Sequence, residues 1–336
     1  MNDFSSKLIK WYLANKRDLP WRNTTNPYHI WVSEIMLQQT QAATVIPYYL
    51  RFIETLPSIE DLAKVDLDLL YKLWEGLGYY SRARNLKNAA MTIMEKHQGV
   101  LPNTYDDLIK LKGIGRYTAG AILSLAFHLP YSATDGNVIR TLSRYYGIKE
   151  DTRLEKTKTI IDGLNQKNIS IIDPHNYTQA MIEMGATLCT KSKPKCEICP
   201  INEHCYAYLN NKQSELPFTS KLKQKKEIQW ITVILRNEAG DYLLQKQETN
   251  LLNGLYLYPQ FEAESINYVE DIFNELGATL FINEDIGSYT HVFSHLKWDM
   301  RVYHATTSSN LDYTVVKPSN FDLYPMATAH KQIKKD

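Results

Sequence analysis

A chain of 336 residues, 44% hydrophobic and 22% charged, is long enough for two packed cores and too apolar for a disordered polypeptide. A formal net charge of +1 neither requires nor forbids a polyanionic partner, because a phosphate-binding face depends on where lysines and arginines cluster. The longest apolar stretch, Ala119 to Tyr131, is broken by His128 and Pro130 and is too short to span a bilayer, so no membrane partner is expected.

The chain opens on Phe4, Leu8, Ile9, Trp11 and Tyr12, apolar positions at helical spacing without the continuous apolar run of a secretory signal. A cytoplasmic protein is expected. Helical periodicity continues to about Tyr208, punctuated by start signals at Asn26-Pro27, at Thr104 followed by Asp107, and at Asp173-Pro174. Residues 1–208 therefore read as an all-α domain.

Within it, Tyr28 to Thr40 is predicted helical. Ile30 and Trp31 precede Glu34 by four and three residues and Gln38 follows by four, so this carboxyl lies on a largely apolar face. Burial there disfavours the charged form and raises the pKa, as a proton donor near neutral pH requires. Read alone, such a glutamate is more often a structural hydrogen-bond partner than a catalytic acid.

Thr104 to Leu111 reads as a short capped helix, Lys112-Gly113-Ile114-Gly115 as a glycine hairpin, and Arg116 to Phe127 as a second helix, a unit spanning 104–127. Two glycines let the backbone pass close to a phosphate, and the following helix offers unpaired N–H groups and the positive end of its dipole. After the break at Pro130 comes Asp135-Gly136-Asn137, with Asp135 where an N-cap would start the next helix.

All four cysteines, Cys189, Cys196, Cys199 and Cys205, fall within 189–205 in the pattern Cys-x6-Cys-x2-Cys-x5-Cys. That suits a metal centre in a reducing compartment better than a disulfide framework. Structural zinc sites usually pair two Cys-x-x-Cys knuckles, and one is present. Lys191, Lys193 and Lys195 lie between the first two ligands, where a phosphate backbone would meet them if that loop faces it.

A polar run over 209–227, containing Pro217, Ser220, Lys221, Lys223, Lys225 and Lys226, reads as a linker. Beyond it, Ile228 to Arg236 and Tyr242 to Gln245 are rich in β-branched and aromatic residues with a Gly240-Asp241 turn between them. Asn267 to Leu276 fits a helix, and Ser288 to Phe293 and Trp298 to His304 are strand-like. Residues 228–336 are expected to form a separate α+β domain.

Together, Asp18-Leu-Pro-Trp-Arg22, Trp31-Val-Ser-Glu-Ile-Met-Leu-Gln-Gln-Thr40, Leu77-Gly-Tyr-Tyr-Ser-Arg82, the hairpin with its flanking Leu111 and Thr118-Ala119, Thr134-Asp-Gly-Asn-Val138 and the cysteines resemble the adenine DNA glycosylases of the endonuclease III superfamily. The resemblance covers nearly the whole chain in the family's order. It implies a helix-hairpin-helix glycosylase domain whose four cysteines hold a [4Fe-4S] cluster. It also implies a monomer, associated with the nucleoid through double-stranded DNA containing adenine opposite oxidised guanine or guanine.

By the same resemblance Glu34 and Asp135 are the catalytic carboxyls, supported by Tyr117 and Asn137. Trp21 and Arg22 would enclose the extruded adenine, Tyr79 would wedge into the gap with Leu77 and Gly78 shaping its loop, and Gln39 and Thr40 would contact the oxidised guanine. Gly113 and Gly115 would approach the DNA backbone. The superfamily's bifunctional lyases carry a Schiff-base lysine two residues after the second hairpin glycine. Here that position is Tyr117, which implies base removal without efficient strand cleavage.

The C-terminal domain resembles the Nudix fold, whose metal site needs Gly-x5-Glu-x7-Arg-Glu-x2-Glu-Glu-x-Gly. Counting back from Gly277, Glu275 survives, but Glu270, Asp271 and Asn274 replace Arg, Glu and Glu, and counting on from Gly254 places Gln260 at the first glutamate. A recognition module is expected in place of a pyrophosphatase. Phe293-Ser294-His295 resembles the family loop that contacts oxidised guanine.

Overall fold

A computed structural model describes residues 3–220, 225–248, 251–309 and 311–333, so Lys221 and Lys223 of the run read as a linker lie outside the described residues. The chain forms two compact units, Met1–Lys64 with Asn85–Lys221 and Val65–Arg84 with Leu222–Asp336. No composition shift marks the excursion at 65–84.

Local chemistry sets where the helices start. They are α1 (Asp3–Asn15), α2 (Pro27–Leu37), α3 (Ala42–Thr55), α4 (Ile59–Lys64), α5 (Leu67–Trp74) and α6 (Ser81–Lys96). After these come α7 (Tyr105–Leu108), α8 (Arg116–Leu125), α9 (Gly136–Tyr146), α10 (Glu155–Asn168), α11 (Pro174–Thr187) and α12 (Tyr206–Leu209). The Asn26 side chain accepts from Tyr28 N–H at 2.9 Å, with Pro27 in the first turn of α2. Asp173 does the same for α11 through Asn176 N–H at 3.1 Å. These side chains satisfy amide donors that a helix start leaves without partners.

The helix expected over Thr104 to Leu111 shortens to one turn. Lys110 and Leu111 donate to the carbonyls three residues back, Asp107 and Leu108, tightening the chain before Gly113 turns it at φ +84°. The next helix ends at Leu125, short of the expected Phe127, where His128 adopts a left-handed φ of 54° ahead of Pro130.

Two cores matter for the site. Phe4, Leu8, Ile9 and Tyr12 of α1 pack with Val138 and Leu142 of α9, Ile161 of α10 and Tyr177, Met181 and Met184 of α11. A smaller core joins Ile30 of α2, Ala121 and Leu125 of α8 and Ala133, with Tyr117 packed against it. Among the described residues no helix is long and apolar enough to cross a membrane.

In the second unit β1 (Lys226–Asn237), β2 (Tyr242–Lys246), β3 (Tyr256–Leu257), β4 (Gln260–Phe261), β5 (Leu280–Val292), β6 (Leu296–Thr307) and β7 (Thr314–Val316) form one sheet. The main order is β3-β2-β1-β6-β5, with β4 on β1 and β7 on β2. β1 runs parallel to β6, from Lys226 opposite Leu296 to Asn237 opposite Thr307, and the other pairings are antiparallel. Ile231 to Leu235 are all buried, as a central strand covered on both faces requires. Val269 and Phe273 of α13 (Ile266–Glu275) pack on Ile231, Val233 and Leu235. A final turn, α14 (Thr328–Lys331), carries buried His330, whose Nδ1 accepts from Tyr258 N–H at 3.0 Å.

Candidate active site and metal centre

Glu34 sits in the middle of α2 and is only 4% exposed. Tyr117, in the first turn of α8, donates its hydroxyl to Glu34 Oε2 at 2.5 Å. Burial pushes the Glu34 carboxyl up to about 7, against the Tyr117 hydrogen bond and nearby Arg22, while the charge of Asp135 adds to the rise. An acid of this kind holds its proton close to neutral pH and can transfer it.

Asp135 caps α9. Its Oδ1 accepts from Val138 N–H at 2.8 Å and its Oδ2 from Asn137 Nδ2 at 2.9 Å. Burial raises this carboxyl too, opposed by those donors. Asn137 is in turn held by Arg140, which donates to Asn137 Oδ1 at 2.9 Å, to Gly185 O at 2.7 Å and to Cys189 O at 2.7 Å.

Arg22 is less free than its expected contact with a base suggests. Its guanidinium donates to Gln179 Oε1 at 3.1 Å, Arg17 O at 2.9 Å and Glu183 Oε2 at 2.7 Å, and its side chain is 5% exposed. Glu183 also takes two bonds from the Arg17 guanidinium, at 2.8 and 2.7 Å, and one from the Arg17 backbone N–H at 3.1 Å. Against burial, which alone would raise it, these arginines hold the Glu183 carboxyl down to about 2. Sequence reading missed Glu183 and Arg17. The available signal was one charge inside the apolar stretch Met181-Ile182-Glu183-Met184. Trp21 is buried edge-on against Tyr49, with ring centroids 5.5 Å apart.

Two of the non-glycine residues expected to touch DNA occupy unusual backbone. Gln39 has φ 58° and Tyr79 φ 48°, left-handed values uncommon for residues other than glycine. Thr40 follows, its hydroxyl donating to Gln38 O at 3.4 Å. Gly113 needs to be glycine, since at φ +84° a Cβ would lie 2.8 Å from Asn85 Cβ. Gly115 caps α8 with nothing within 4 Å of where its Cβ would be, leaving the helix start open to a close neighbour.

In the second unit the loop Leu77-Gly78-Tyr79 is fixed from behind. Trp74 Nε1 donates to Gly78 O at 3.2 Å, and Arg82 donates to Leu77 O and Gly78 O at 3.0 and 3.2 Å. Leu77 is buried and Tyr79 is 49% exposed. Phe293-Ser294-His295 is the turn between β5 and β6, closed by Phe293 N–H on Leu296 O at 2.8 Å. Ser294 Oγ lies 2.7 Å from the Tyr79 hydroxyl, and the Phe293 ring packs on Trp298.

The four cysteines line a single void together with Thr141, Arg144, Met184 and Gln213. Among the described residues no three His, Cys, Asp or Glu come close enough together to hold a lone metal ion. Burial raises the Cys199 thiol to about 12, so a thiolate there needs cationic compensation from what it binds. The Thr141 hydroxyl is buried beside the same void with no hydrogen-bond partner among the described residues. Arg144 points a guanidinium nitrogen at Cys189 Sγ from 3.5 Å and ties the loop down through Thr190 O and Lys191 O. Thiolates spread around one apolar void, with polar hydrogens turned inward, fit a cluster containing several metals and sulfide acceptors.

Comparison with known proteins places this geometry. Residues 32–166 match the HhH-GPD superfamily of base excision DNA repair proteins, 189–205 match the iron–sulfur binding domain of endonuclease III, and 231–336 match a NUDIX domain. A thermostable thymine-DNA glycosylase of known structure is similar over 61% of this chain and 95% of its own, at 28% identity and TM-score 0.57. Endonuclease III in a non-covalent DNA complex is similar over 63% and 99%, at 25% identity and TM-score 0.53. The class is thus a helix-hairpin-helix DNA glycosylase carrying a [4Fe-4S] cluster, followed by a Nudix domain.

Two curated adenine DNA glycosylases narrow it further. That of Buchnera aphidicola subsp. Baizongia pistaciae is 38% identical over 87% of this chain and 83% of its own, and that of Mus musculus 33% identical over 89% and 70%. The chain belongs to the adenine DNA glycosylase family.

Proposed function

We propose that this chain is a monofunctional glycosylase that removes adenine from double-stranded DNA where it is paired with oxidised guanine or guanine, working as a monomer on chromosomal DNA. The observation that carries the reading is the buried Glu34, held at about 7 beneath the Tyr117 hydroxyl and within the field of Asp135. Glu34 gives its proton to the five-membered ring of an adenine swung out of the stack, which makes the base a better leaving group. As the glycosidic bond breaks, the sugar gains oxocarbenium character, which the Asp135 carboxylate stabilises. Water then adds to the sugar and gives its proton to Glu34. Asn137 holds Asp135 in place, and Tyr117 offers no amine for a Schiff base, so the strand stays intact.

Around this centre, Trp21 and Arg22 wall the base pocket, Tyr79 wedges into the stack on the Leu77-Gly78 loop, and Gly113 and Gly115 admit a phosphate. Gln39, Thr40 and Phe293-Ser294-His295 read the opposite guanine. The cluster supports the lysine-bearing loop and takes no part in bond breaking.

The test is incubation with duplexes carrying adenine opposite oxidised guanine, guanine or thymine, followed by alkali. Cleavage at adenine only after alkali, and only in the first two duplexes, is expected. A nick before alkali, or equal cleavage opposite thymine, overturns the reading.

A further inference from the structure

Resting on the reading of Asp135 as catalytic, we infer that a polar row on α10, formed by Asp162, Asn165 and Gln166, is a clamp that positions Asp135 through the strap 130–134. The strap leaves α8 and runs to the cap of α9 with neither helix nor strand of its own, so its polar groups must find partners elsewhere. One face of α10 supplies them. Ser132 N–H donates to Gln166 Oε1 at 2.8 Å, and Gln166 Nε2 donates to Pro130 O at 2.7 Å. Asn165 Nδ2 donates to Ala133 O at 3.2 Å and to Thr134 Oγ1 at 3.0 Å. Asp162 Oδ1 accepts the Thr134 hydroxyl at 2.6 Å and the Ser132 hydroxyl at 3.2 Å.

The clamp is itself anchored. Asn165 is 1% exposed, and its Oδ1 accepts the Tyr177 hydroxyl at 2.8 Å. On its other side the strap rests on α8, where a Cβ at Gly120 would lie 2.0 Å from Ser132 O, and Ala133 joins the small core with Ile30 and Leu125. Held on one side by the helix that carries Tyr117 and on the other by α10, the strap delivers Asp135 immediately after Thr134. Reaction rates are steep in such placement, with about 1 Å of error costing on the order of a hundredfold. The Asp135 cap bond to Val138 fixes the carboxylate to α9 but does nothing to fix α9 against Tyr117 and Glu34. Asp162, Asn165 and Gln166 are therefore positioning residues.

Thr134→Val keeps the side-chain shape and removes the hydroxyl that links Asp162 to Asn165, while Thr134→Ser keeps the hydroxyl. Three readouts separate positioning from general damage: single-turnover release of adenine, affinity for a duplex holding a pyrrolidine abasic cation, and affinity for an undamaged duplex. Thr134→Val should slow release about tenfold and weaken the pyrrolidine duplex comparably, with undamaged-duplex affinity within about twofold of wild type. Thr134→Ser should restore both. Release and pyrrolidine binding within about twofold of wild type, equal weakening on the undamaged duplex, or a serine variant as impaired as the valine would each overturn the clamp. Asp162→Asn, at a partly exposed position, takes the same comparison if Thr134→Val does not fold. The pyrrolidine duplex carries no base, so it decides the clamp even if wild type proves not to release adenine, a result that would sink the substrate reading alone.

Discussion

Replacing Glu34 with glutamine removes a titration from the folded protein, and its surroundings set the size of the effect. Burial holds the carboxyl at about 7 against an ordinary 4.5, although the Tyr117 hydroxyl and Arg22 pull the other way. The folded protein therefore binds this proton more tightly than the unfolded chain does. The contribution is fully present below about 4.5 and is lost as pH rises through about 7. At ~1.4 kcal/mol per tenfold change in proton affinity, the loss is roughly 3 kcal/mol, several degrees in melting temperature. Between about pH 5 and about pH 8 the wild-type midpoint should fall relative to that of Glu34→Gln, which has no proton to lose there. Adenine release by wild type should decline over the same alkaline range, and the variant should be slower by at least ~100-fold throughout. Melting curves that stay parallel across pH, or variant release within about tenfold of wild type, would remove Glu34 as the acid.

Other substitutions test the remaining parts. Asp135→Asn retains the Oδ1 acceptor that caps α9 but loses the Oδ2 acceptor of Asn137, so melting should fall only by the ~1 kcal/mol of that bond while release falls by at least ~100-fold; an asparagine that released adenine freely would reduce Asp135 to a cap. Tyr117→Phe removes the hydrogen bond that draws Glu34 down, so the alkaline limb of the pH–rate profile should move upward, and a downward move would refute the coupling. Cys199→Ala should yield protein with fewer than the ~4 irons per chain expected of wild type and should cost folding or DNA affinity before chemistry. Metal analysis that finds one zinc per wild-type chain would overturn the cluster.

How much of this was legible in the sequence follows the range over which each interaction acts. The caps at Asn26, Thr104 and Asp173 are local, and each accepts the amide its spacing predicts. The apolar face around Glu34 was readable because helical neighbours lie three and four residues away. Glu183 was not, because its partners Arg17 and Arg22 lie far off along the chain and only α1 and α11 packing brings them together. Strands β3, β4 and β7 are too short to alternate visibly. The first half of β5 was missed because it is an edge strand with two register shifts and a polar Asn283-Glu284-Asp285 run carrying two charges, features that protect an edge and hide its pattern. The left-handed backbone at Gln39 and Tyr79 has no signature in residue type at all.

The proposed chemistry needs two neighbouring carboxyls in opposite protonation states, and the charge of Asp135 adds to the reluctance of Glu34 to ionise. Burial lifts both above their ordinary ranges, so burial alone cannot assign the roles. Donor count can. Glu34 lies mid-helix, where the backbone N–H groups of α2 are already engaged, and among the described residues one donor reaches it, the Tyr117 hydroxyl. Asp135 lies at a helix start, where Val138 N–H is available, Asn137 adds a second donor, and Arg140 stands behind as a positive charge. The dipole of α9 favours a negative charge at the same end. The anion therefore belongs at Asp135 and the proton at Glu34, by virtue of where each sits on its helix and not of which acid it is. It follows that Asp135→Glu, which lengthens the side chain but leaves the helix start in place, should damage the rate through geometry while leaving Glu34 as the group that sets the alkaline limb.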